Sequence, residues 1–108
     1  MLEIKPVELK AKLDQPDRDV HLVDVRETEE LACCRLNGAQ HIPMLQLFTG
    51  LQSPRADPET EVVVICHHGV RSLEAAKYLR LNGFPNARSL AGGLGAWAND
   101  VDPSMPRC

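Results

Sequence analysis

The chain has 108 residues, 44% of them apolar and 25% charged, with a formal net charge of −3. That length suits one domain over residues 1–108, with enough apolar side chains for a core. The acidic balance and the short apolar runs, far below the ~20 residues of a membrane helix, exclude general binding to nucleic acid or a membrane and leave only a local anion site. The start carries no signal-peptide pattern, and the four cysteines form no disulfide framework, so a reducing, cytoplasmic location is expected.

Pro6 is placed to open a helix running to about Leu13, with Leu9 and Leu13 on one face. Gln15-Pro16-Asp17 reads as a turn, and residues 20–25 as a strand. Residues 27–31 form an acid-rich first helical turn, and Asn37-Gly38 is expected to stop that helix. Residues 39–42 read as a short strand ended by Pro43, residues 44–51 as a short helix, and residues 53–58 as a loop. Residues 62–65 are β-branched throughout, the pattern of a strand buried on both faces. Residues 72–82 form a helix with Leu73, Ala76 and Leu79 as its apolar stripe and Gly83 just past its end. A short strand at 87–90, a Gly92-Gly93 turn and a helix over 94–99 with Trp97 in the core complete the pattern, and the tail 101–108 reads as extended. Strands alternating with helices predict an α/β domain with a mostly parallel sheet.

Cys66 ends the most apolar strand and opens the loop His67-His68-Gly69-Val70-Arg71, with a helix directly after it. Keeping a thiol ionised at neutral pH takes ~2.7 kcal/mol of selective stabilisation. A helix end supplies only ~0.3–1 kcal/mol. Loop N–H groups or Arg71 must therefore provide the rest, and Gly69 gives the loop its freedom to turn. His67 and His68 read either as donor-binding groups or as ordinary loop histidines. A Cys-His-His metal site is disfavoured, because adjacent positions seldom aim every side chain at one ion. Cys33 and Cys34 read as small apolar helix residues, with a resolving thiol for Cys66 as the functional alternative.

The loop resembles the active-site loop of the rhodanese (sulfurtransferase) family, in the form Cys-x-x-Gly-x-Arg-Ser. Leu22-Val23-Asp24-Val25-Arg26-Glu27 followed by Glu30 is similar to that family's early signature. Gly38-Ala39-Gln40-His41-Ile42-Pro43 and the late Leu90-Ala91-Gly92-Gly93-Leu94-Gly95-Ala96-Trp97 are similar to two more of its segments. The resemblance implies a three-layer rhodanese-like fold, a central mostly parallel sheet with helices on both faces. It also implies a thiosulfate-type sulfurtransferase with no cofactor and no metal. Cys66 would take the outer sulfur of a small anionic donor as a persulfide and pass it to a thiophilic acceptor, which could be a sulfur-accepting protein. His67, His68, Gly69, Val70 and Arg71 would bind the donor, while Asp24 and Arg26 would anchor loops.

Two other readings compete. A protein-to-protein persulfide carrier would use the same cysteine with little small-molecule turnover. A phosphatase or arsenate reductase would use Cys66 on phosphorus or arsenic, but those enzymes resemble Cys-x5-Arg. Here four residues separate Cys66 from Arg71, and the shorter ring of N–H groups suits one sulfur atom better than a tetrahedral oxyanion.

Overall fold

The computed structural model describes residues 2–17 and 19–106. In chain order its elements are β1 (Glu3–Ile4), α1 (Pro6–Leu13), β2 (Val20–Asp24), α2 (Thr28–Cys33), β3 (Gln40–His41), α3 (Met44–Phe48), β4 (Glu61–Ile65), α4 (Val70–Leu81), β5 (Arg88–Leu90) and α5 (Gly93–Asp100). The five strands lie in the order β1-β5-β4-β2-β3, and the pairings are parallel. This is the expected α/β architecture with a parallel sheet.

The β-branched residues of β4 explain its central place. Val62, Val63, Val64 and Ile65 are all fully buried, and successive side chains of a strand point to opposite faces. Val63 and Ile65 join Leu9, Leu90, Leu94 and Trp97 in one apolar layer. Val62 and Val64, followed by Cys66, join Leu47, Ala75, Ala76 and Leu79 in the other. Cys66 therefore inherits its direction from the strand and faces the α4 layer.

Several boundaries differ from the sequence reading, each for a local reason. The helix expected to reach Asn37-Gly38 ends at Cys33, because Arg26 lies beneath it and donates to the carbonyls of Glu30 and Cys34. Cys34 is then extended and buried, and Gly38 turns the chain into β3 with φ 84°. The helix expected from residue 72 starts at Val70, since Gly69 adopts φ 91° and caps it from the left-handed region. The helix expected over 44–51 ends at Phe48, where the Thr49 hydroxyl donates to the Leu45 carbonyl. β1 was not expected; two residues carry too little pattern to read, and pairing with β5 alone makes them a strand. The tail does not run extended over its described part: it turns at Asp102, and Met105 packs into the core. Cys108 lies outside the described residues.

No helix among the described residues is long and apolar enough to cross a membrane.

Candidate active site

The strand order reverses between β2 and β4. The chain leaves β2 for β3 on one side and leaves β4 for β5 on the other, so a crevice opens at the carboxyl ends of these two strands. β4 delivers Cys66 to it. β2 delivers Asp24 and Arg26, and α2 adds Glu30.

Cys66 is 1% exposed. Its Sγ accepts hydrogen bonds from the Gly69 N–H at 3.0 Å and the Ser72 N–H at 3.3 Å, and lies 3.2 Å from the Ser72 hydroxyl. That hydroxyl in turn meets the Ser89 hydroxyl at 2.7 Å, and both serines are buried. The N-terminal end of α4, a helix of 12 residues, points its partial positive charge at the same sulfur. A hydrogen bond to a charged acceptor contributes ~1.5–3 kcal/mol. Two such donors, added to the helix end, are placed to stabilise negative charge on this sulfur.

The loop amides face inward because the first turn of α5 takes the loop carbonyls. Leu94 N–H donates to the Cys66 carbonyl at 2.9 Å and Gly95 N–H to the His67 carbonyl at 3.1 Å. This contact requires glycine at position 93: a Cβ there would stand 2.4 Å from both carbonyl oxygens. Gly69 is pressed from the same side, with the Gly92 nitrogen 3.0 Å from where its Cβ would be. The Gly92-Gly93 pair, expected to be a turn, is thus the seat of the loop. Trp97 is core, as expected.

The rim is a hollow of about 400 Å³ lined by Arg26, Glu30, His67, His68 and Arg71. Arg71 does not reach across it unpaired. Its Nη1 and Nη2 bond the two Glu30 carboxylate oxygens at 2.7 and 2.8 Å. The Arg71 guanidinium holds the Glu30 carboxyl at about 2, well below its ordinary 4.5, and Glu30 raises Arg71 in return. Arg26 is fully buried, bonded to Asp24 through Nε and Nη2 and to two carbonyls and the Cys34 sulfur. Burial opposes its charge, but Asp24 outweighs that and raises its ionisation further. His67 is half-buried and stands edge-on to His68, with ring centres 4.2 Å apart. Burial, then His68 and Arg26, lowers its protonation and favours the neutral ring.

The structure brings Cys66, His67, His68, Gly69 and Arg71 to one place, while the Val70 side chain is 71% exposed. Sequence reasoning did not assign roles to Ser72, Ser89, Glu30 or Gly93. Ser72 and Glu30 stand inside the motifs that carried the resemblance, so a signal was present. Ser89 had none, since it comes from a three-residue strand. Cys34 is buried and outside any disulfide, so it does not pair with its neighbour Cys33. Among the described residues no group of three His, Cys, Asp or Glu side chains is arranged to hold a metal ion.

The sequence profile of the family described as "Rhodanese-like domain" matches residues 5–100. The chain is 36% identical over 101 residues to the putative sulfurtransferase YtwF of Bacillus subtilis, covering 94% of each protein. It is 32% identical over 108 residues to the chloroplastic rhodanese-like/PpiC domain-containing protein 12 of Arabidopsis thaliana, of which it spans only 36%. The crystal structure of a rhodanese-like domain protein from Staphylococcus aureus superposes with a TM-score of 0.79 at 35% identity, covering 94% of this chain and 95% of that one.

Proposed function

The chain belongs to the rhodanese-like family, and on that premise we propose that it transfers sulfane sulfur through a persulfide on Cys66. The fold and the buried cysteine in its loop support a sulfurtransferase-type activity in general. The observation that carries the finer reading is the Cys66 sulfur itself, enclosed at the end of a parallel strand and met by the Gly69 and Ser72 amides.

The Cys66 thiolate attacks the outer sulfur of a donor such as thiosulfate. The new S–S bond forms as the old one breaks, and sulfite leaves with the electron pair. The terminal sulfur of the persulfide keeps the negative charge it carried in the donor, the leaving sulfite takes up the other, and the same loop amides stabilise the persulfide. A thiophilic acceptor then attacks that sulfur and returns Cys66 to the thiolate. Arg71, His67 and His68 line the hollow beside the loop, where a donor would bind.

The carrier reading uses the same chemistry with a protein as acceptor, and the exposed Val70 beside the mouth gives such a partner an apolar contact. The phosphatase reading fits less well. Those enzymes resemble Cys-x5-Arg with the arginine gripping the oxyanion, whereas here four residues separate Cys66 from Arg71 and both prongs of Arg71 are engaged by Glu30.

Incubation with thiosulfate followed by intact mass measurement tests the proposal. A gain of one sulfur atom, localised to Cys66 and lost on adding cyanide, is expected. Cys66→Ala abolishes both the adduct and turnover; retained turnover in that variant overturns the assignment.

A further inference from the structure

The donor that the site prefers is written in the charge of its rim. Two cations line the mouth, Arg26 and Arg71, and each faces a carboxylate. Asp24 neutralises Arg26 inside the protein, and Glu30 neutralises Arg71 at the surface. Burial beside His68 disfavours a positive charge on His67, and a Cys66 thiolate adds a negative one. A dianion approaching this mouth finds its best electrostatic partner already held by a carboxylate on two bonds.

We propose that Glu30 is the donor-specificity residue of this site: by occupying both prongs of Arg71 it disfavours doubly charged donors such as thiosulfate relative to singly charged donors of the same chemistry. The proposal rests on the persulfide reading above and deepens it by assigning a charge class to the donor. Glu30 is well suited to such a role. It sits in the first turn of α2, its carboxyl is ionised throughout the neutral range, and its side chain is one-third exposed, so an incoming anion meets it directly.

The pair of probes is thiosulfate and methanethiosulfonate. Both deliver one sulfur to the Cys66 thiolate by cleavage of an S–S bond. The first releases sulfite and carries two charges; the second releases methanesulfinate and carries one. The ratio of their kcat/KM values therefore reads charge and cancels general damage to the site. Glu30→Gln keeps the hydrogen-bond acceptor that caps the start of α2, where the Glu27 N–H bonds the Glu30 side chain. It frees Arg71.

One additional unit charge at short range in a partly wet site is expected to raise the thiosulfate-to-methanethiosulfonate ratio about fivefold. Glu30→Asp, which keeps the charge, should leave the ratio near that of the unmodified protein. The double variant Glu30→Gln with Arg71→Gln should bring it back down, because the freed cation is gone. A ratio unmoved by Glu30→Gln overturns the inference while leaving the persulfide reading standing. Absence of a Cys66 persulfide with both donors in the unmodified protein overturns the persulfide reading, and the inference falls with it.

Discussion

Two arginine–carboxylate pairs flank one mouth and do different work. Asp24–Arg26 is fully buried, and the guanidinium also holds the carbonyls of Glu30 and Cys34. Glu30–Arg71 has the same two-pronged geometry but leaves 33% of one side chain and 38% of the other exposed. The chemistry is shared; the solvent is not. Removing one partner of the buried pair strands a charge where water cannot reach it, whereas either partner of the surface pair can turn to water or to a ligand. Burial makes the first pair a scaffold that ties β2 to the end of α2, and exposure leaves the second exchangeable.

The largest expected effect tests the scaffold half of that contrast. Arg26→Ala should cost about 3–5 kcal/mol in urea unfolding, the usual consequence of leaving a buried charge unpaired. A loss below 1 kcal/mol would erase the distinction between the pairs. Gly93→Ala comes next. Its Cβ would overlap two backbone carbonyl oxygens of the Cys66 loop, and about 2–3 kcal/mol of stability should go together with persulfide formation. Ser72→Ala leaves the Ser89 hydroxyl without its partner and removes one neighbour of the sulfur. It should cost about 1–2 kcal/mol and slow persulfide formation, while the Ser72 amide still bonds the sulfur.

Glu30→Gln should be the mildest in stability, at no more than about 1 kcal/mol. Its pH dependence has a definite sign. The Glu30 carboxyl is held at about 2 in the folded protein against 4.5 ordinarily, so the folded state releases that proton more readily than the unfolded chain. The contribution is fully present above pH 4.5 and disappears as the pH falls through about 2. The stability difference between the unmodified protein and Glu30→Gln should therefore be flat at neutral pH and narrow across that acidic window. A difference that grows on acidification would contradict the ion-pair assignment.

Much of this was legible in the amino-acid order. Periodicity and branching place β4 and α4, because a run of valines buried on both faces and an apolar stripe with a following glycine each have one natural conformation. Cys66 and Gly69 follow from their position between those two elements, and Arg71 from its place in the first turn of α4. The Asp24 and Arg26 side chains read as anchors, and the Arg26 N–H that Asp24 accepts and the two carbonyls that Arg26 holds bear that out. Boundaries were less legible where a distant group decides them. The early end of α2 depends on a guanidinium arriving from β2, and the turned tail depends on a place for Met105 in the core.

What the sequence determined by itself was the alternation of elements, the strand that carries Cys66 and the short spacing between Cys66 and Arg71, since all of these depend on local pattern and spacing. Tertiary structure decided which way the loop faces and what its arginine can do. The loop carbonyls turn outward only because α5, nearly thirty residues further along the chain, offers N–H groups to take them. Arg71 is paired only because α2 lies alongside it with Glu30. Hydrogen bonds and ion pairs between segments far apart in sequence require the fold to bring them within 3 Å, and no spacing along the chain encodes that distance.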